Sequence, residues 1–191
     1  MLKKEIRRKR GSEMELKAAI MDAAQVQRSM ARIAHEIIEK NNGAERVCLL
    51  GIRRRGIPLA DMLAKNMEKF EGIRVPVGHV DVTLYRDDLT ETGAQATTTG
   101  SVIPCQVEDY TIILVDDVLF TGRTVRAAIE AVVRHGRPRA IQLAVLVDRG
   151  HRELPIRPDY VGKNLPTSRD EMVRVMVDEY DGQTGVELYS L

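Results

Sequence analysis

The feature that most constrains this chain is an apolar strand that runs into two carboxylates and then into a helix. Residues 112–115 are Ile-Ile-Leu-Val, Asp116 and Asp117 follow, and a short loop leads to a helix predicted over about residues 124–135. Such an apolar run is typical of a strand buried on both faces of a parallel sheet. Ligands of open parallel sheets bind beyond the carboxyl ends of the strands. The sequence therefore predicts an α/β fold with a ligand site at residues 116–124.

The loop after the acid pair has the composition of a phosphate site, and its candidate residues are Thr121, Gly122, Arg123 and Thr124. Together they would present backbone N–H groups and hydroxyls at a helix N-terminus, which attracts a phosphate. Two carboxylates beside a phosphate would repel it unless they face sugar hydroxyls or a metal ion. The combination indicates a ribose 5-phosphate pocket, with Asp116 and Asp117 on the ribose. An ordinary strand before an N-capped helix would explain Thr121 but not the acid pair.

The rest of the chain alternates strands and helices. Helices are predicted over residues 13–41 and 58–70, and strands over residues 47–52, 75–84, 140–147 and, at an edge, 172–177. This alternation produces right-handed βαβ units and a mainly parallel sheet flanked by helices. Residues 85–109 are polar and rich in Gly and Thr, so we expect a long flexible loop there.

Length and composition favour a single globular domain. The chain has 191 residues, 43% of them hydrophobic, and its two cysteines, Cys48 and Cys105, lack zinc spacing and are expected to be reduced. The N-terminus has no apolar leader and no segment is long enough to span a membrane, so we expect a cytoplasmic protein without membrane contact. Residues 1–12 are expected to form a disordered basic tail, and residues 13–191 the domain.

Charge is distributed unevenly along the chain, although the formal net charge is only +1. Residues 1–10 and 123–169 are rich in Lys and Arg, whereas residues 170–191 are acidic. The near-neutral total argues against nucleic-acid binding by bulk charge, and 4% aromatic residues argue against base-stacking platforms. The basic middle is either an ordinary solvated surface or a local face for phosphates.

Several separated motifs, in the same order, make the chain resemble the type I phosphoribosyltransferases. Their binding motif for phosphoribosyl pyrophosphate (PRPP) is the apolar strand, acid pair and Thr-Gly loop described above. Further segments resemble the branch of this family that acts on uracil and regulates pyrimidine operons. They are residues 32–36, 51–57, 81–89, 148–157, 159–164 and 166–168. The resemblance covers roughly residues 14–180.

The resemblance implies a type I phosphoribosyltransferase fold and roles for particular residues. Asp116 and Asp117 would hold ribose hydroxyls or water on the Mg²⁺ that accompanies PRPP, and one could act as a base. Arg86, on a mobile flap, would reach the pyrophosphate. The pyrophosphate loop would consist of Arg53, Arg54, Arg55 and Gly56. Many relatives carry a small polar residue at the position of Arg54, which leaves open which arginine faces the leaving group.

The family fold also implies a hood over the base, formed by about residues 148–180 and the N-terminal segment. Uracil would be bound there by Tyr160, Val161, Gly162 and Lys163. Gly162 would allow close backbone approach, and main-chain groups of these residues could pair with the edge of the base. Tyr160 would either pack against the pyrimidine or be buried within the hood.

The same branch implies a second partner, the leader mRNA of a pyrimidine operon. Binding would be tighter with UMP or UTP bound and would promote transcription termination. The phosphate-contacting residues would be Arg32, His35, Arg149, His151, Arg152, Arg157 and Lys163. The low aromatic content favours recognition of a folded hairpin by its shape and backbone. Relatives form dimers and tetramers, so we expect a homodimer or homotetramer.

Other functions fit the residues less well. A salvage phosphoribosyltransferase for a purine base, without RNA regulation, is the main alternative, because the residues alone do not identify uracil. A nucleoside triphosphatase is disfavoured because Gly51–Gly56 lacks the Gly-Lys-Ser/Thr ending of a P-loop. A zinc helix is disfavoured because Glu39 stands where the second histidine of an HExxH motif is required after His35.

Overall fold

The computed structural model describes residues 14–82 and 100–191 of the chain. In chain order its elements are β1 (Glu15–Met21), α1 (Ala23–Asn41), β2 (Val47–Ile52), α2 (Gly56–Glu71), β3 (Val77–Val80), a 3-10 turn (Val107–Asp109), β4 (Thr111–Leu119), α3 (Arg123–Val133), β5 (Ala140–Asp148), β6 (Tyr160–Asn164), β7 (Glu171–Met176), α4 (Asp178–Asp181) and β8 (Gly185–Ser190). Among the helices of these residues, none is long and apolar enough to cross a membrane.

Five of the strands form a parallel sheet in the order β3-β2-β4-β5-β6. All six residues of β2 are buried, as expected of a strand covered on both faces. Helices α1 and α2 pack on one face, where Leu49 of β2 joins their core. Helix α3 packs on the other face, where Leu50 joins its core. This arrangement leaves the carboxyl ends of the strands open along one edge.

A second, antiparallel sheet has three strands in the order β1-β8-β7. In this sheet β1, the segment before α1, pairs with β8, which is near the end of the chain and far from β1 in sequence. A short helix, α4, connects β7 to β8 and carries Asp181. Two of its strands, β1 and β7, come from the segments predicted for the hood, the N-terminal segment and residues 148–180, and they pair through β8.

The predicted helix over residues 13–41 is wrong at its start, because residues 15–21 form β1 instead. Helix α1 begins after Asp22, whose side chain accepts a hydrogen bond from the backbone N–H of Gln25 over 2.7 Å. The side chain of Gln25 accepts in turn from the backbone N–H of Asp22 over 2.8 Å, which completes a capping box. Pairing with β8 makes the preceding segment a strand, and no local pattern predicts that pairing.

Two further segments differ from the sequence-based predictions. Residues 160–164, predicted within the hood, form edge strand β6 of the parallel sheet, and residues 172–177, predicted as an edge of that sheet, largely form β7 of the small sheet. Strand β3 ends at Val80, earlier than predicted. The predicted basic tail and most of the predicted loop, including Arg86, lie outside the described residues.

Candidate active site

The carboxyl edge of the parallel sheet gathers most of the predicted site segments. Because all five strands run in the same direction, the segments that follow β2, β3, β4, β5 and β6 emerge along one edge. The loop of Arg53–Gly56 follows β2, Asp81 follows β3, and the phosphate loop follows β4. The sequence-based prediction of a site at this edge therefore agrees with the strand topology.

The acid pair lies on β4, the central strand. This strand continues to Leu119, so Asp116 and Asp117 belong to its last residues rather than to the loop after it. Asp116 is buried, with 8% of its surface exposed. Its Oδ1 accepts a hydrogen bond from the backbone N–H of Asp117 over 2.9 Å, and Asp117 Oδ1 accepts from that of Val118 over 2.8 Å. Each carboxylate is thus held in a fixed orientation.

Burial raises the pKa of Asp117 above the ordinary value for an aspartate. Hydrogen bonds with Asp116 and with the backbone of Val118 lower the pKa, as does the charge of Arg55, but they offset the effect of burial only in part. A carboxylate with a raised pKa is a better proton acceptor near neutral pH than an exposed one. Asp117 is therefore suited to hold a sugar hydroxyl or to accept a proton.

The phosphate loop between β4 and α3 forms one wall of a cavity of about 330 Å³. Gly122 has φ +93°, a left-handed conformation that favours glycine, and it precedes the first residue of α3 without a side-chain cap. The backbone N–H of Arg123 donates to Thr121 Oγ1 over 3.4 Å. The cavity is lined by Asp116, Val118, Leu119, Phe120, Thr121, Gly122, Arg123, Thr124 and Val125. Asp116 of the acid pair and the predicted phosphate loop therefore share one pocket.

The segment after β5 supports the phosphate loop from outside. The carbonyl of Thr121 accepts hydrogen bonds from the backbone N–H groups of Glu153 and Leu154, over 3.0 and 3.2 Å. Arg152 donates to the carbonyl of Phe120 over 2.8 Å and to the carboxylate of Asp148 over 2.5 Å. These contacts engage the carbonyls of Phe120 and Thr121 and anchor the phosphate loop to the segment after β5.

The loop after β2 packs directly against the central strand. A Cβ on Gly56 would lie 2.2 Å from the carbonyl oxygen of Val115, and one on Gly51 would lie 2.6 Å from the carbonyl oxygen of Gly56. Only glycines permit this approach, because the neighbouring atoms are backbone. The peptide bond between Arg53 and Arg54 is cis. Since Val115 precedes Asp116, this packing sets the arginine loop beside the acid pair.

The three consecutive arginines have different surroundings. Arg53 Nη1 lies 3.5 Å from Asp81 Oδ2. Arg55 donates from Nη2 to Asp181 Oδ1 over 2.9 Å and from Nε to Asp181 Oδ2 over 3.3 Å. The hydrogen bonds from Arg55 lower the pKa of Asp181. Arg55 therefore ties the arginine loop to α4 of the small sheet.

Asp116 and Asp117 could supply only part of the ligands that a Mg²⁺ ion needs. Within residues 14–82 and 100–191, no three His, Cys, Asp or Glu side chains cluster as a metal cage. Mg²⁺ commonly keeps several waters and is held by one or two carboxylates together with substrate phosphates. Asp116 and Asp117 offer such carboxylates next to a phosphate loop, so they fit an ion that arrives with the substrate.

Comparison with known proteins identifies the family. A family model for the phosphoribosyl transferase domain matches residues 18–180. The chain is 58% identical over 176 residues to the bifunctional protein PyrR of Clostridium novyi, a match that covers 92% of this chain and 99% of that protein. The bifunctional protein PyrR of Thermus aquaticus is 57% identical over 176 residues, covering 92% and 97% of the two chains. The chain belongs to the PyrR family of phosphoribosyltransferases.

Solved structures confirm the predicted fold. A hypoxanthine phosphoribosyltransferase from Trypanosoma cruzi superposes with a TM-score of 0.70 at 18% identity, covering 90% of this chain and 94% of that one. A hypoxanthine-guanine enzyme from Bacillus anthracis gives 0.66 at 17% identity, covering 93% and 99%. At such identities the likeness shows the fold alone. Membership of the PyrR family, in contrast, agrees with the predicted uracil enzyme and regulator and does not favour the purine alternative.

Two arginines predicted for the RNA face, Arg149 and Arg152, make most of their contacts within the fold. Arg149 is 7% exposed and donates to Thr167 Oγ1 and to the carbonyls of Ser168 and Glu171 over 3.1, 3.1 and 2.7 Å. Its guanidinium also lies 4.2 Å from the centre of the Phe120 ring. Arg152 is held by carbonyls and Asp148, as described above. Arg152 supports the phosphate loop through the carbonyl of Phe120, and Arg149 through its contact with the Phe120 ring.

Other predicted RNA contacts lie on the surface. Arg32 and Lys163 line a groove of about 370 Å³ between α1 and β6. His35 is exposed on α1 and stacks on Phe70, with ring centroids 3.7 Å apart. Arg157 is exposed, whereas His151 is half-buried with Nε2 2.6 Å from the carbonyl oxygen of Thr167. The predicted face is thus divided between this groove and the segment after β5.

Of the residues predicted to bind uracil, namely Tyr160, Val161, Gly162 and Lys163, the first three make contacts within the fold, and Tyr160 is buried, one of the two alternatives given for it. Tyr160 is 2% exposed, and its hydroxyl donates to Gln142 Oε1 over 2.7 Å and accepts from Asn41 over 3.2 Å. Burial raises the pKa of Tyr160 to about 12. The carbonyls of Val161 and Gly162 accept hydrogen bonds from Arg32 Nη2 over 2.9 and 2.8 Å. The ring belongs to the core, and these carbonyls fasten β6 to α1.

Sequence reasoning did not assign a role to three residues that line the basic groove or contact the arginine loop, namely Arg28, Asp81 and Asp181. Arg28 lines the basic groove and stands four residues before Arg32, a helical spacing that places both on one face. Asp81 follows β3, and its position at a strand end was an available signal. Asp181 lies 126 positions from Arg55 and has no local signal.

Proposed function

We propose that the protein transfers the ribose 5-phosphate of PRPP to uracil, releasing pyrophosphate and UMP. The observation that carries this proposal is that the carboxyl edge of one sheet holds the acid pair, the phosphate loop and the arginine loop together. The 5-phosphate would bind the N–H groups of residues 121–124, the ribose hydroxyls Asp116 and Asp117, and the pyrophosphate the loop after β2.

The chain's own groups would act mainly by positioning and by charge. Departure of pyrophosphate leaves positive charge on the ribose carbon, which the carboxylates of Asp116 and Asp117 would stabilise. Asp117, whose pKa burial raises, can also accept the proton that uracil N1 loses. Mg²⁺ bound with PRPP would neutralise charge on the leaving group. Holding both reactants in line contributes several kcal/mol to such a reaction.

We place the base on the β5–β6 side of the acid pair. The arginine loop follows β2, on one side of β4, and an in-line displacement needs the base on the opposite side of the sugar carbon. A cavity of about 400 Å³ lies there, lined by Asp148, Arg149, Gly150, His151, Asn164, Pro166 and Thr167. Phe120 of the phosphate loop contacts Arg149 and His151, so this cavity adjoins the phosphate pocket.

A side-by-side assay tests the base. Pyrophosphate release from PRPP and Mg²⁺ is measured with uracil, hypoxanthine and guanine at equal concentrations. We expect turnover with uracil at least about 100-fold above that with either purine, since a polar pocket rejects a base that leaves its groups unpaired. Turnover with a purine equal to that with uracil would reject the assignment in favour of purine salvage.

We further propose that the protein, acting in the cytoplasm as a homodimer or homotetramer, binds the leader mRNA of its pyrimidine operon and promotes termination when UMP or UTP is bound. The groove between α1 and β6 supports this role, because Arg28 and Lys163 place positive charge along it. Arg32 also lines the groove, but its charge is paired with Glu36. Cations on a helix face and a strand end suit the phosphates of a folded hairpin. Light scattering of the purified protein measures the oligomer.

A gel-shift against the operon leader tests regulation. UMP is expected to tighten binding about tenfold, whereas AMP at the same concentration leaves it unchanged. Lys163→Gln should weaken binding and make its salt dependence shallower. The control is Arg74→Gln, an exposed cation before β3 at the opposite edge of the sheet. Binding that ignores UMP and does not distinguish the two variants would contradict the regulatory role.

A further inference from the structure

The carboxylate of Asp181 connects segments that are remote in sequence. Its Oδ1 accepts a hydrogen bond from Arg55 Nη2 over 2.9 Å, and its Oδ2 accepts from Arg55 Nε over 3.3 Å. The backbone N–H of Val177 donates to the same Oδ2 over 3.0 Å, and Arg174 Nη2 lies 3.7 Å from Oδ1. With a side chain that is 8% exposed, this carboxylate is held on both of its oxygens.

The place of Arg55 in the chain explains why it needs a carboxylate. It is the residue immediately before α2, and its side chain does not cap that helix. A cation at the N-terminus of a helix is unfavourable, because the helix dipole is positive there. Among the residues that the structure describes, the Arg55 side chain donates only to Asp181. Asp181 therefore compensates both the guanidinium and the helix end.

Asp181 also lies between two cations. Because Arg55 and Arg174 both approach the same carboxylate, loss of its charge would leave two guanidiniums close together. Like charges at such short range repel each other. Arg55 would therefore lose its acceptor and be pushed away from its position.

The position of Arg55 is transmitted to the acid pair. The next residue, Gly56, packs so closely on β4 that a Cβ there would lie 2.2 Å from the carbonyl oxygen of Val115, which precedes the acid pair. The charge of Arg55 also lowers the pKa of Asp117, so its guanidinium lies within electrostatic reach of that carboxylate. A shift of Arg55 would therefore move the arginine loop relative to the acid pair.

We infer that Asp181 is a positioning residue for phosphoribosyl transfer, which acts through Arg55 and does not itself contact substrate. It allows the small sheet to set the distance between the loop after β2 and the acid pair. This assignment rests on the proposed function and adds to it a residue of the last helix of the chain. A residue that only positions a binding loop affects the KM of PRPP more than kcat, since it weakens ground-state and transition-state binding alike.

The experiment compares Asp181→Asn and Asp181→Glu with the wild-type protein. Asn keeps an oxygen for the N–H of Val177 but removes the charge. For Asp181→Asn we expect the KM of PRPP to rise about tenfold, since a displacement of about 1 Å at a positioned group can cost up to about 100-fold. The KM of uracil and kcat should stay within about threefold, and Asp181→Glu should recover part of the PRPP affinity. Calorimetry with Mg²⁺ and PRPP measures that affinity without turnover.

The matched control is Asp178→Asn, which removes an exposed carboxylate from the same helix and should leave the KM of PRPP unchanged. A double-mutant cycle with Arg55→Gln separates positioning from folding. In that background Asp181→Asn should change the KM of PRPP less than about twofold, because the residue through which it acts is already altered. A residue that only stabilised the fold would lower the unfolding midpoint in both backgrounds and raise the KM of PRPP in neither.

The inference is overturned if Asp181→Asn matches Asp178→Asn in PRPP affinity, or if it raises the KM of PRPP equally with and without Arg55→Gln. A wild-type protein that binds PRPP but does not convert uracil would reject the proposed function instead. The calorimetric affinities of the same variants would then decide the role of Asp181. A wild-type protein that does not bind PRPP would overturn both.

Discussion

Replacement of Asp117 with Asn is expected to lower turnover of PRPP with uracil by roughly 100- to 1,000-fold, the range for losing a positioned charge or base at a reacting centre. The change keeps the size of the side chain and removes its charge and its capacity to accept a proton. Asn keeps an oxygen that can accept the hydrogen bond from the backbone N–H of Val118, so we expect the variant to fold. The rate of pyrophosphate release and the thermal unfolding midpoint are measured together.

The control for this variant is Asp109→Asn, in the exposed 3-10 turn before β4 at the amino end of the strand. It should retain wild-type turnover, since it alters a carboxylate remote from the pocket. Unchanged turnover of Asp117→Asn would reject the assignment of the acid pair to the site. A large fall in its unfolding midpoint would assign the loss to folding instead of chemistry.

Replacement of Gly56 with Ala is expected to destabilise the protein by about 2–3 kcal/mol, which lowers the unfolding midpoint by roughly 5–10 °C for a chain of this size. The added Cβ would lie 2.2 Å from the carbonyl oxygen of Val115, so the loop or the central strand must move. Both belong to the site. The KM of PRPP should therefore rise even at temperatures where the variant is folded.

Gly72→Ala separates steric conflict from backbone strain. Gly72 has φ +69°, and no atom lies within 4 Å of the position that a Cβ would take there, so its substitution costs only the left-handed conformation, about 1 kcal/mol. A smaller loss of stability in Gly56→Ala than in Gly72→Ala would show that the loop is not packed against β4 as described. Both midpoints are measured by calorimetry.

Short-range patterns were sufficient for much of the fold and for the phosphate site. The strand at residues 111–119, the glycine at the start of α3 and the Thr residues around it are contiguous, so their shared geometry follows from local backbone preferences. The capping box at Asp22 and Gln25 was also present as a local signal, and it would have separated β1 from α1.

Long-range packing decided which polar groups are available to ligands. From sequence alone, an Arg in a polar segment is predicted to be an exposed charge. In the structure, however, Arg149 donates to the carbonyl of Glu171 and Arg152 to the carbonyl of Phe120, which are distant in sequence. The hydroxyl of Tyr160 is likewise engaged by residues distant in sequence, Asn41 of α1 and Gln142 of β5. Sequence spacing carries no information about such partners.

The sequence by itself determined the parallel α/β architecture and the acid pair with its phosphate loop, because these depend on short contiguous segments. It also determined the family, because several separated motifs occur in the family's order. Only the tertiary structure shows which strands pair in the three-stranded sheet and which carboxylates face Arg53 and Arg55. Those depend on pairing β1 with β8 and on placing Asp81 and Asp181 beside the loop after β2. Contacts between segments so distant are selected by packing of the whole chain, not by local preference.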